Sequence, residues 1–114
     1  MYINAFCAAV PEENKQDYIK HASIAGEIMK SCGCVSYKEA WGDAVPDGET
    51  TSFLKAVKCG EGEVVVIGFA QWPDKETADA GMAKMMQDPR MANMSMPFDG
   101  QRLIWGGFET IIDF

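Results

Sequence analysis

MPFDGQRLIWGGF, residues Met96–Phe108, joins a proline-containing bend to an apolar run with two adjacent glycines. The Asp-Gly pair at 99 and 100 predicts a sharp reversal with the glycine at positive φ, because glycine has no Cβ to clash there. Beyond the turn, Leu103–Ile112 carries apolar residues at both odd and even positions. This pattern predicts a strand that needs cover on both faces of its sheet.

The rest of the chain alternates strands and helices in two similar halves. Strands are predicted at Tyr2–Val10, Val35–Trp41 and Val64–Trp72. Helices are predicted from the acidic and capping residues 12–17 after Pro11 to about Cys32, with Gly33 ending the helix, and at Lys75–Gln87. Thr51–Val57 predicts a short extended segment, and Met91–Met94 predicts a helical turn. The resulting βαββαβ order predicts a ferredoxin-like α+β domain spanning 1–114, with a four-stranded antiparallel sheet and both helices on one face.

The strands are apolar on both faces, which a monomer with one helix layer does not require. In the third strand Val64, Val66 and Ala70 alternate with Val65, Ile67 and Phe69, and the last strand repeats this pattern. A sheet face in contact with water is normally polar, but this second face is apolar. We therefore expect a second sheet, from another subunit, to cover it. We therefore predict a homodimer whose sheet faces meet, which is a dimeric α+β barrel.

Composition excludes several partners. The chain has 114 residues, 47% of them hydrophobic, and a net charge of −7. This acidic balance disfavours nucleic acid and anionic lipid, whose binding relies on clustered Lys and Arg. No run is long enough to span a membrane, and the N-terminus lacks a cationic signal region. We expect no nucleic-acid or membrane partner and a cytoplasmic location.

Metal-ligating and redox patterns are weak. The four cysteines are expected to be unpaired thiols in the cytoplasm, and Cys32 and Cys34 lack the second pair of ligands that a zinc site needs. The methionines near Met91 are expected to fill apolar gaps. We expect no metal and no cofactor, and the catalytic residues stay unknown.

A ligand pocket is the main functional hypothesis. Aromatic and cationic side chains on or beside the sheet suit a small, flat, anionic molecule; the candidates are Trp41, Phe53, Lys55, Trp72, Arg102 and Trp105. His21 on the first helix is the one weak catalytic candidate, because only histidine has an unperturbed pKa near neutrality. We expect the first helix to bound a cleft near Trp41 and Trp105 that His21 reaches. The alternative is that the tryptophans belong to the core and the cations only extend along it.

Four segments carry a family resemblance. EAWGD at 39–43, TSFLKAVK at 51–58, DPRM at 88–91 and MPFDG at 96–100 resemble the small bacterial YbaA-like proteins, a family of unknown function. The resemblance implies membership of the dimeric α+β barrel superfamily, which holds antibiotic-biosynthesis-type monooxygenases, haem-degrading enzymes and small lactone isomerases. Haem-degrading members use a helix histidine, for which His21 is the sole candidate.

Two classes of function stay open from the sequence. One is a ligand-binding protein, or a cofactor-independent enzyme of the monooxygenase or isomerase type. The other is a non-catalytic dimeric module, which should have a barrel filled by side chains.

Overall fold

The computed structural model describes residues 1–114 and contains four strands and four helices. The strands are β1 (Tyr2–Pro11), β2 (Ser36–Trp41), β3 (Glu63–Trp72) and β4 (Ile104–Glu109). The helices are α1 (Lys15–Ser31), α2 (Phe53–Ala56), α3 (Lys75–Gln87) and α4 (Pro89–Ala92), with 3₁₀ turns at Glu12–Asn14 and Gly100–Arg102.

All four strands form one antiparallel sheet in the order β2-β3-β1-β4. Tyr2 of β1 lies opposite Trp72 of β3 and Glu109 of β4, and Ser36 of β2 lies opposite Gln71. This strand order and the two long helices confirm the predicted ferredoxin-like α+β fold.

The helices α1 and α3 cover one face of the sheet. Ala25 and Met29 of α1 and Ala78 of α3 pack with Ala70 and Trp72 of β3 in the largest buried cluster. A second cluster joins α1 to the other end of the same face through Tyr18, Val10 and Val66. We call this side of the sheet the helix face.

Capping residues that the sequence predicts determine where α1 ends and where α3 begins. The backbone N–H of Gly33 donates to the Lys30 carbonyl and that of Cys34 to the Met29 carbonyl, with Gly33 at φ 102°. These bonds form a Schellman cap, which confirms the predicted end of α1. The Asp74 side chain accepts from the Thr77 N–H at 2.7 Å and begins α3 where the sequence predicts it.

The opposite side of the sheet, which we call the open face, is apolar and only partly covered. Val57 and the neighbouring α2 pack on Cys7, Ala9 and Val65 at one end. Elsewhere the open face exposes large side chains, namely Ile67, Phe69, Ile104 and Phe108. Only 18 of the 114 residues are buried, so much of the apolar surface stays in contact with solvent in a single subunit.

Two predicted extended segments differ in the structure. Thr51–Val57 contains the helix α2 instead of an extended segment, because the Ser52 hydroxyl caps it by accepting from the Lys55 N–H at 3.0 Å. The last strand ends at Glu109, not at Ile112. Its partner β1 begins at Tyr2, and the Thr110 N–H already reaches the Met1 carbonyl at 3.1 Å.

The turn before β4 is also built differently from the prediction. Positive φ occurs at Gly33, Gly48 and Gly62 among the glycines, and not at Gly100. Gly100 instead begins a 3₁₀ turn, and the Asp99 side chain caps it by accepting from the Gln101 N–H at 3.0 Å. The carboxylate of Asp99, more than the freedom of glycine, therefore shapes this reversal.

No helix of the chain is both long enough and apolar enough to cross a bilayer.

Candidate functional site

A cleft of about 330 Å³ lies between α1 and the edge strand β2. Tyr37, Glu39 and Trp41 alternate along β2, so all three point to the helix face, where α1 packs. Turns of α1 supply the opposite wall. The principal lining side chains are Lys15, Tyr18, Ile19, Tyr37, Glu39 and Trp41.

A carboxyl group held by two tyrosines lies in this cleft. The Tyr18 hydroxyl on α1 donates to Glu39 Oε1, and the Tyr37 hydroxyl on β2 donates to Glu39 Oε2. Each oxygen of the carboxyl therefore has a phenolic partner, which fixes the orientation of the side chain. The bond from Tyr18 also joins α1 to β2.

Two glycines make room for this cluster. A Cβ at Gly68, directly across from Glu39 on β3, would overlap the Phe6 ring and lie 3.0 Å from Cγ of Glu39. A Cβ at Gly26 on α1 would lie 3.0 Å from the ring of Tyr37. The absence of side chains at these two positions lets a carboxyl and a ring fit between helix and sheet.

Burial shifts the proton equilibrium of the cluster. It raises the pKa of Glu39 to about 7, although the hydrogen bond from Tyr18 partly opposes the shift by stabilising the carboxylate. Burial, followed by the neighbouring charge of Glu39, raises the pKa of Tyr18 above its ordinary value. Tyr18 therefore stays a hydroxyl donor, while Glu39 can gain and lose a proton near neutral pH.

Lys15 provides the only cationic side chain that lines the cleft. Its Nζ lies 5.1 Å from the centroid of the Trp41 ring, within cation–π range. The cleft thus combines aromatic walls, one ammonium group and one carboxyl that titrates near neutrality.

The structure places only part of the predicted ligand site at this cleft. Trp41 lines it, whereas Phe53 lies on the open-face side in a smaller apolar depression of about 120 Å³ that also contacts Trp41. Trp72 is fully buried in the core between the helices and the sheet.

The two predicted cations are engaged in the fold. Lys55 Nζ donates to the carbonyls of Gly48 and Glu49 at 3.1 and 2.7 Å, which secures the loop before α2. Arg102 donates to both carboxyl oxygens of Glu63 at 2.8 and 2.7 Å and also bonds Asp99. Neither reaches the α1–β2 cleft.

Trp105 and His21 also lie apart from the cleft. Trp105 is on β4, the edge strand opposite β2, so the structure does not bring it together with Trp41. The His21 ring packs edge-on against Phe98, with 6.3 Å between the ring centroids, and burial lowers its pKa. The predicted grouping of His21, Trp41 and Trp105 around one cleft is therefore not found.

Lys15, Tyr18, Tyr37 and Glu39 were not singled out by the sequence reasoning, although strand alternation contained the signal. Counting by two from Trp41 places Glu39 and Tyr37 on the same buried side as the tryptophan. A glutamate on the buried side of a strand needs partners, which is the usual mark of a functional or tightly paired carboxyl. Only the fold shows that Tyr18, twenty-one residues away, is one partner.

The cleft does not offer a set of metal ligands. No three His, Cys, Asp or Glu side chains come together anywhere in the chain, and all four cysteines are unpaired. Burial raises the pKa of Cys7 and of Cys34, which keeps these thiols protonated.

Fold and site together define a ferredoxin-like α+β domain with a carboxyl-containing cleft beside its edge strand. The family described as "Protein of unknown function (DUF1428)" matches residues 1–100, and the chain belongs to this family. It is 46% identical over 114 residues to "Uncharacterized protein YbaA" of Escherichia coli (strain K12), covering 98% of this chain and 97% of that protein. The protein of the same name from Shigella flexneri gives the same values. The resemblance to YbaA-like proteins is thus confirmed.

One solved structure shares the fold along the whole chain. It is a dimeric ferredoxin-like protein from an uncultured marine organism, with a TM-score of 0.61 and 12% identity, covering 99% of this chain and 98% of that one. At this identity the likeness shows the fold alone.

Proposed function

We propose that this protein binds a small, flat, anionic aromatic molecule in the α1–β2 cleft. The observation that carries the proposal is the pairing of Lys15 with Trp41 at the rim of a largely apolar cleft. An aromatic ring would lie against Trp41 and Ile19, while Lys15 would hold a carboxylate. Such sites combine apolar walls with a few polar groups that fix orientation.

The proposed assembly is a homodimer whose open faces meet, located in the bacterial cytoplasm. Its support is the apolar surface on β3 and β4, where Phe69 is 37% and Phe108 57% exposed. A standard interface needs about 800 Å² per partner, a size that a sheet face can supply. The structural neighbour is itself dimeric, which supports a dimer here.

Ligand binding is tested by thermal shift with phenylacetate and its uncharged analogue phenylacetamide. Phenylacetate at roughly 100 times its dissociation constant should stabilise the protein by about 2.7 kcal/mol. Trp41→Ala should abolish the shift. Lys15→Gln should remove the preference for the acid over the amide, because it removes the only cation in the cleft.

Matched controls separate the cleft from the rest of the surface. Lys20→Gln changes an exposed lysine on the same helix, and Trp105→Ala changes an exposed tryptophan on the far edge strand. Both variants should bind phenylacetate as the unmodified protein does. If no aromatic acid shifts the melting temperature, or if the controls lose binding equally, the proposed site is wrong and the non-catalytic module is favoured.

A further inference from the structure

We propose that Glu39 is a proton-transfer group, and that the cleft catalyses enolisation of small aromatic 2-oxo acids. This inference rests on the proposed ligand site and adds a reaction to it. It starts from the geometry of Tyr18, Glu39 and Tyr37, which orient one carboxyl at the cleft from two elements.

The partners of Glu39 differ from those of a buried carboxyl with a purely structural role. A buried structural carboxyl is usually neutralised by a basic partner, but the partners of Glu39 are two neutral phenols. Lys15 of α1 lines the same cleft, and Gly68 of β3 lies beside Cγ of Glu39. Without an ion pair, the carboxyl is free to exchange a proton with a bound molecule.

The reaction is a balanced proton transfer. The Glu39 carboxylate takes a proton from the carbon next to a ketone, and the electron pair of the broken C–H bond forms a C=C bond. The carbonyl π pair moves to oxygen and gives the enolate, whose negative charge the Lys15 ammonium in the same cleft would stabilise. Return of the proton from Glu39 to carbon regenerates the ketone, so no oxidant or cofactor is consumed.

The substrate class follows from the cleft lining. The step requires a hydrogen made acidic by an adjacent carbonyl, Trp41 favours an aromatic ring, and Lys15 favours an anion. Phenylpyruvate combines these three features and serves as the probe.

The test measures exchange and binding separately. Loss of the methylene proton signal of phenylpyruvate in D₂O is followed by NMR, while binding is followed by thermal shift. The protein should accelerate exchange above the buffer rate. Glu39→Gln should slow the catalysed exchange by about 100-fold or more while retaining binding, because the amide keeps the shape but cannot act as the base.

Tyr37→Phe distinguishes a proton-transfer role from a structural one. The variant retains the ring but removes one hydrogen bond to the carboxylate, so the charged form of Glu39 is less stable. The rise of the exchange rate with pH should therefore shift to higher pH. A purely structural role would change the amount of folded protein without moving this profile.

Each outcome decides between the hypotheses. Saturable binding with exchange no faster than in buffer overturns proton transfer and leaves the ligand site standing. Catalysed exchange that survives Glu39→Gln also overturns the role of Glu39. Absence of both binding and exchange overturns the ligand site and the reaction together.

Discussion

Glu39 is a carboxyl group in an environment far less polar than water. Burial raises its pKa from 4.5 to about 7, so the folded protein binds a proton that the unfolded chain releases. Stability from this group is therefore greatest at low pH and falls as the pH rises through about 5 to 7. The sign is the reverse of that for a carboxylate in an ion pair.

Glu39→Gln should remove this pH dependence. The amide stays neutral at every pH; its oxygen can still accept from one tyrosine hydroxyl, and its NH2 can donate to the other. The free energy of unfolding of the variant should therefore rise relative to that of the unmodified protein as the pH rises from about 5 to 8. The full shift corresponds to a change in the free energy of unfolding on the order of 3 kcal/mol. Urea unfolding of both proteins across this range measures the difference.

The comparison must be made as a difference because His21 titrates in the same range. Its lowered pKa favours the neutral form in the fold, so its contribution to stability increases with pH. Because His21 is present in both proteins, its contribution to the free energy of unfolding cancels in the difference. A stability difference that is constant between about pH 5 and 8 would contradict the raised pKa of Glu39.

At the scale of elements, the sequence correctly predicted the helix ends that are determined by neighbouring residues. The Schellman cap at Gly33 and the Asp74 cap of α3 each depend on a few adjacent residues. Both helix ends lie where the sequence predicts them. The helix α2 was missed because four residues give no periodicity, and its cap depends on a single Ser52 hydroxyl. The site was largely missed for the opposite reason, since Tyr18 meets Glu39 only through packing between distant elements.

Arg102 joins two turns that are far apart in the sequence. It binds Glu63 at the start of β3, the Lys58 carbonyl in the preceding loop, and Asp99 before β4. The hydrogen bonds that Arg102 donates to Glu63, together with the one from the Gly60 N–H, lower the pKa of Glu63 to about 2. The guanidinium thus performs a structural task that its sequence position did not reveal.

Arg102→Lys should lower the melting temperature at neutral pH, because an ammonium cannot make the forked contact with both oxygens of Glu63. The difference from the unmodified protein should shrink as the pH falls from about 4.5 towards 2, where Glu63 becomes protonated. Calorimetry over this range measures both effects. Arg90→Lys is the control, since the Arg90–Asp88 pair is more exposed; an equal loss in the two variants would contradict the role of Arg102.

At the scale of the molecule, the subunit is a slab measuring 37 × 36 × 21 Å, with the two long helices, α1 and α3, on the same side of the sheet. The sequence anticipated the two-sided apolar character of β3 because alternation is visible in any strand. It could not show how far α2 and Val57 extend over the open face. The surface left uncovered by them is centred on residues of β3 and β4.

Phe108→Asp should convert the proposed dimer into monomers. A two-fold interface contains each substitution twice, and roughly 2–3 kcal/mol per buried charge amounts to about a 1000-fold or greater rise in dissociation constant. Light scattering at micromolar concentration measures the mass.

Trp105→Asp is the matched control for the dimer. Trp105 is 73% exposed on the same strand but points to the helix face, opposite Phe6. This variant should keep the mass of the unmodified protein. A single-chain mass for the unmodified protein, or equal dissociation in both variants, would refute assembly through the open face.

The close packing of Phe6, Glu39 and Gly68 also constrains how this family can vary. The three positions share one space on the helix face, so substitutions there cannot accumulate independently. Before Gly68 can be replaced by a residue with a side chain, Phe6 must be replaced by a smaller residue or Glu39 by a shorter one. The order of mutations is thereby restricted, and any relative with a bulky residue at 68 is expected to carry a smaller side chain at 6 or at 39.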